Sequence, residues 1–167
     1  MLTVFGFLLT IVAALLVGMG HLLGGGIMVL VSGLFDILDG ALARAANKVT
    51  KFGGILDSTL DRLSEGALFV ALLIFYAGQG ILPLIIVGVA LVGSFGISYV
   101  RARAEGAGLK CEVGILTRTE RVIILAVGLL LGSWVTNIPL IASGIIAFFS
   151  LITIWQRLYY SWQQTKN

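Results

Sequence analysis

Only eight carboxylates serve the 167-residue chain, and five of them, Asp36, Asp39, Asp57, Asp61 and Glu65, fall within 30 residues. Asp36 and Asp39 are three apart and Asp57 and Asp61 four apart, so on helices each pair shares one face. Oxygen ligands without His or Cys beside them suit hard divalent cations such as Mg²⁺, Mn²⁺ or Ca²⁺ rather than zinc. Four carboxylates gathered within a few ångströms repel one another, and either their pKa values rise or cations hold them together. Two divalent ions balance four negative charges. Such a pair serves phosphoryl chemistry by neutralising phosphate oxygens and the leaving group in an in-line displacement. The alternative is a buried network with Arg44 and Arg62, but two arginines against four aspartates leave a deficit of two charges.

The elements that position these residues cross a bilayer. A hydrophobic content of 59% with 11% charged residues and a mean hydropathy of +1.08 exclude an ordinary soluble domain. Each helical crossing takes about 20 residues. Apolar runs broken by Gly, Pro or charge predict six helices, about 2–19, 22–45, 53–78, 81–104, 118–133 and 138–160. The expected fold is therefore an all-α integral-membrane bundle of six transmembrane helices, forming a single domain over residues 1–167. Met1 to Gly20 lacks a basic leader and an A-x-A-like end, so no cleavable signal peptide is expected. The first helix begins at once, and a juxtamembrane segment before it is expected to be missing.

The connections at 18–21, 77–82 and 131–139 carry no Lys or Arg, whereas all eleven basic residues lie in or near the other connections or the C-terminus. That asymmetry places both termini and the basic connections in the cytoplasm of a prokaryotic cell. It also accounts for the net charge of +3 without nucleic acid. The short connection Ala45 to Phe52 predicts the second and third helices as antiparallel neighbours. Their carboxylates then converge at similar depth, near the cytoplasmic helix ends. An ion-coupled transporter also keeps carboxylates in its membrane helices, but such sites lie near the midplane. The single Cys111 leaves no intrachain disulfide. Trp134, Trp155 and Trp162, with Tyr159 and Tyr160, suit interfacial belts against membrane lipids, and Gly128 to Gly132 forms a G-x-x-x-G helix-packing motif.

Written out, residues 36 to 61 read Asp36-x2-Asp39-Gly40-x2-Ala43-Arg44-x8-Gly53-x3-Asp57-x3-Asp61. This pattern resembles, residue for residue, the signature of the CDP-alcohol phosphotransferases, integral-membrane phospholipid synthases. The resemblance implies a six-helix bundle, commonly dimeric, that binds two divalent metals, Mg²⁺ or Mn²⁺, and the pyrophosphate of a CDP-linked lipid donor. By carry-over Asp36, Asp39, Asp57 and Asp61 are metal ligands and Asp61 is also the general base. Gly40, Ala43, Arg44 and Gly53, with Asp39 and Asp57, line the nucleotide site. An acceptor hydroxyl attacks the donor's β-phosphorus and CMP leaves.

The second half of the chain bears on the acceptor. Arg101, Arg103, Arg118, Arg121 and Arg157 lie near the cytoplasmic ends of helices four to six, and Arg binds phosphate bidentately. An acceptor carrying its own phosphate needs such a pocket; the alternative is that these cations are topogenic and meet lipid headgroups. Ser98 to Gly106 and Leu116 to Arg121 resemble segments of the phosphatidylinositol-phosphate synthases and their archaeal ether-lipid counterparts. That resemblance implies inositol 1-phosphate as acceptor, with Arg118 and Arg121 or Arg157 on its phosphate and Arg101 or Arg103 in the same pocket. Glycerol 3-phosphate, which also carries a phosphate, is the nearest rival.

Overall fold

The structure, a computed structural model, describes residues 2–45 and 50–166 and, within them, the side chains other than those of residues 2 and 39–45. Among the described residues there are six α-helices and no strand: α1 (Leu2–Gly18), α2 (Leu22–Ala45), α3 (Lys51–Tyr76), α4 (Ile81–Gly106), α5 (Arg118–Gly132) and α6 (Ile138–Gln164). Their ends follow local chemistry. Thr50 accepts the Gly53 N–H at 3.0 Å and starts α3 two residues earlier than the apolar pattern predicts. Glu120 reaches back to the Thr117 N–H at 2.8 Å and so closes the first turn of α5. Gly20 and Gly80, with φ of +87° and +98°, make turns that a side chain would strain.

Two helices, Ile81–Gly106 and Ile138–Gln164, are long and apolar enough to cross a membrane, and Thr3–Gly18 and Leu22–Leu38 are shorter apolar helices. Large apolar side chains face outward from all six helices: Leu15, Ile37, Ile74, Val92, Ile123 and Phe148 are each more than half exposed. Water does not tolerate so continuous an apolar coat, whereas lipid does.

Each helix packs on two others, closing a ring in the order α1, α2, α5, α6, α4, α3. This corrects one expectation. The turn between α2 and α3 is short, yet among the described residues these helices do not pack side by side. Helix α1 lies against both, and Asp36 of α2 and Asp61 of α3 are bridged by Arg118 of α5. Like charges oppose close approach of their backbones, and the polar groups between them need room.

One end of the ring is filled by small and aliphatic side chains: Ala13, Val17, Leu72, Ala126, Leu129 and Ile146 are all buried there. A Cβ added at Gly128 would come within 2.6 Å of Ala142, and one at Gly132 within 2.6 Å of Pro139. The G-x-x-x-G motif thus brings α5 against α6.

Candidate active site

The other end of the ring holds the acidic motif. Asp36 on α2 and Asp61 on α3 converge on one nitrogen of Arg118: Nη2 lies 3.0 Å from Asp36 Oδ2 and 2.8 Å from Asp61 Oδ1. Arg118 keeps about a third of its side chain exposed, and its Nε is buried with no protein partner. Asp57 lies one helical turn before Asp61 and is exposed.

Asp36 is seated against α1. A Cβ on Gly6 would sit 2.8 Å from Asp36 Oδ1, so only glycine leaves the carboxylate where it is. One turn further along α2, the Ser32 hydroxyl donates to the Gly6 carbonyl at 2.8 Å and lies 2.7 Å from the Thr10 hydroxyl. These bonds tie α1 to α2 where each polar group would otherwise be orphaned in an apolar interior.

Arg118 is the first residue of α5, so the loop 107–117 decides where it starts. Side chains of α6 hold that loop. The Leu116 N–H donates to Thr153 Oγ1 at 3.2 Å and the Ile115 N–H to Gln156 Oε1 at 3.3 Å. Arg157, only 3% exposed, donates from Nε to the Val113 carbonyl at 2.9 Å and from Nη1 to the Ile97 carbonyl at 2.7 Å. Gln164 exchanges bonds with the Lys110 backbone, which is why α6 runs four residues past its expected end. Gly114, at φ +134°, lets the loop lie on α6, since a Cβ there would come within 2.6 Å of Thr153.

One turn deeper than Arg118, Arg121 meets Glu65 in a bidentate ion pair, Nε to Oε1 at 2.6 Å and Nη2 to Oε2 at 2.8 Å. The two side chains are 2% and 4% exposed.

Two cavities meet at these residues. A mainly apolar one of about 310 Å³ runs between α2, α3 and α5, lined by Leu30, Leu34, Leu68 and Val122, with Asp36, Glu65 and Arg118 also in its wall. A polar one of about 420 Å³ is lined by Ser58, Asp61, Arg62, Ser98, Arg101, Arg118 and Arg121, again with Glu65.

Of the residues expected to form the site, the structure brings Asp36, Asp61 and Arg118 into contact and places Arg101 and Arg121 on the same polar cavity. It does not bring Arg103 or Arg157 to that cavity. Arg103 is exposed on α4, and the Arg157 guanidinium holds backbone carbonyls. Gly53 lies in the capped first turn of α3. The side chains of Asp39, Gly40, Ala43 and Arg44 lie outside the described residues. Glu65, to which the motif gives no role, lines both cavities. The signal for it was the four-residue spacing of Asp57, Asp61 and Glu65, which puts all three on one face of α3.

The donor set suits hard divalent ions. Two carboxylates from different helices already converge on a single positive centre. Mg²⁺ and similar ions commonly take one or two carboxylates and complete their shell with substrate phosphate oxygens. Among the described residues no three acidic, imidazole or thiol side chains gather closely enough to hold an ion unaided.

The helices thus form an apolar bundle in which carboxylates and guanidinium groups are joined at one end. A sequence model of the CDP-alcohol phosphatidyltransferases matches residues 1–156, and the chain belongs to that family. It is 40% identical over 169 residues to the archaetidylinositol phosphate synthase of Methanothermobacter thermautotrophicus, covering 99% of this chain and 83% of that one. It is 41% identical over 162 residues to the phosphatidylinositol phosphate synthase of Mycobacteroides abscessus, covering 94% and 74%. Among solved structures it is similar to the Mycobacterium tuberculosis phosphatidylinositol phosphate synthase crystallised with CDP-DAG, with a TM-score of 0.89, 36% identity and coverage of 96% and 84%. The same M. tuberculosis protein with manganese and citrate gives a TM-score of 0.90, 37% identity and coverage of 96% and 80%.

Proposed function

We propose that this chain transfers a phosphatidyl or archaetidyl group from a CDP-linked lipid to inositol 1-phosphate with release of CMP. The observation that carries the reading is the junction at Arg118, where carboxylates of α2 and α3 meet between an apolar cavity and an arginine-lined polar one. A lipid-linked diphosphate needs the first for its chain and a phosphorylated alcohol needs the second. The names of the relatives favour inositol phosphate over glycerol 3-phosphate as the acceptor.

In this reading all six helices span the bilayer as one domain, with the polar end facing the cytoplasm, and the enzyme works as a homodimer. The one-sided placement of Lys and Arg supports the orientation, and the family resemblance supports the dimer. Asp36, Asp39, Asp57 and Asp61 would hold two divalent ions, Mg²⁺ or Mn²⁺. When bound, these supply charge neutralisation to the donor diphosphate. Gly40, Ala43, Arg44 and Gly53 line the cytidine nucleotide. Arg101 and Arg118 attract the acceptor phosphate, and Arg121 sets the wall beside them. Arg157 acts on Arg118 through the loop it braces.

The acceptor hydroxyl forms a new oxygen–phosphorus bond at the donor's β-phosphorus, and the bond to the CMP oxygen breaks with its electron pair. Asp61 receives the hydroxyl proton, which places a base where an alcohol becomes a nucleophile. The test supplies purified protein with CDP-lipid, Mg²⁺ and either inositol 1-phosphate or glycerol 3-phosphate. CMP release with inositol 1-phosphate is expected; release with glycerol 3-phosphate alone would reassign the acceptor, and cation flux in liposomes without CMP release would discard the enzyme.

A further inference from the structure

Helices α3 and α5 are not neighbours in the ring, yet two side-chain rungs join them across the gap: Asp61 to Arg118, and one turn deeper Glu65 to Arg121. The rungs differ in kind. The upper one is a single-nitrogen contact, shared with Asp36 and partly exposed. The lower one is bidentate and almost wholly buried. A buried ion pair adds little net stability over a packed apolar pair, because desolvation offsets most of the attraction. Its strict geometry is what an apolar pair could not supply, since two parallel bonds set both the distance and the rotation of a guanidinium.

We propose that Glu65 is a positioning residue for the acceptor half of the reaction. By holding Arg121 it pins the first turn of α5 to α3 and thereby aims Arg118, three residues earlier on the same face, at the junction of the two cavities. Glu65 and Arg118 both line each cavity, so the ladder stands where donor and acceptor must meet. A second consequence concerns charge. Without the Glu65 carboxylate, Arg121 would be a buried cation without its bidentate partner and would turn to the next acid on that face, Asp61, displacing Arg118. The inference rests on the proposed reaction, because it assigns Arg118 to the acceptor side.

The experiment measures CMP release in nanodiscs for the wild type, Glu65→Gln, Arg121→Lys and the double variant Glu65→Gln/Arg121→Gln, varying CDP-lipid and inositol 1-phosphate separately. Glu65→Gln and Arg121→Lys should each raise the acceptor KM by roughly tenfold or more, as small misplacements of a binding group do, with the donor KM within about twofold. The double variant should cost no more in acceptor KM than the worse single change, the mark of residues acting through one another. A merely structural pair would lower the melting temperature and move both KM values together, and that result would overturn the proposal. So would an unchanged acceptor KM in Arg121→Lys, the milder variant, should Glu65→Gln not fold. A wild type that makes no CMP with inositol 1-phosphate defeats the proposed function itself; an active wild type with unaffected variants defeats only the role of Glu65.

Discussion

At one end of the bundle helices touch through glycine and alanine; at the other α2 and α5 stand apart from α3 and are joined to it by long charged side chains. Gly25 approaches Val17 and the Ala13 carbonyl, Gly26 approaches Leu130, and Gly128 and Gly132 approach α6, each closely enough that a Cβ would collide. Around Asp36, Asp61 and Glu65 the space between helices is instead cavity, and arginines from α5 reach across it. The packed end makes the bundle hold together by dispersion, which falls off within a fraction of an ångström. The open end depends on that rigidity, because carboxylates and guanidinium groups separated from water keep their places only if the frame does. Tight apolar packing and paired charges thus occupy opposite ends of one set of helices, and substitutions can probe either end.

The largest effect on turnover is expected from Asp61→Asn, which keeps the side chain's shape and removes the proposed base. CMP release should fall by about 10²–10⁴-fold at saturating CDP-lipid and Mg²⁺, so that the loss lies in turnover and not in donor or metal binding; retained turnover would remove Asp61 as base. Gly6→Ala comes next. Its methyl group must push Asp36 Oδ1 from 2.8 Å, so a drop in kcat of roughly tenfold or more is expected with helical content by circular dichroism unchanged. Equal activity would show that α1 does not seat the carboxylate.

Arg157→Lys separates a brace from a ligand. Loss of its bonds to Val113 and Ile97 should cost about 1.5–3 kcal/mol per charged hydrogen bond in thermal or denaturant stability, with any rise in the acceptor KM accompanying that loss, because Arg157 reaches Arg118 only through the loop. A tenfold KM change without loss of stability would return Arg157 to the acceptor pocket. The smallest effect on chemistry belongs to the packed end. Gly128→Val should lower stability by about 1–3 kcal/mol through overpacking against Ala142, yet leave both KM values near wild type in the protein that remains folded. A selective KM change there would abolish the division between the two ends.

The six helices were legible because each is an apolar run bounded by turn residues or charge, and their ends moved by two residues or fewer except at the end of α6, where Gln164 contacts the loop. The acidic motif was legible because its residues lie at helical spacing within one stretch. The partners of those acids were not. Arg118 is 82 residues from Asp36, and Arg121 is 56 from Glu65. Nothing local distinguishes an arginine that meets a carboxylate from one, like Arg103, that faces outward. Arg157 illustrates the same limit: as a residue type it suits phosphate, and its actual partners are the backbone carbonyls of Val113 in the loop and Ile97 in α4, more than forty positions away.

Composition and spacing alone set the chemistry available: an apolar chain that must hide its backbone in helices, carboxylates at helical spacing on two of them, and three connections free of Lys and Arg. The ring order, the separation of α2 from α3 by the packing of α1, and the union of Glu65 with Arg121 were decided only in three dimensions. The reason is physical. Periodicity and composition act between residues a few positions apart, whereas close packing and charge pairing depend on which faces meet, and that is settled by all six helices at once.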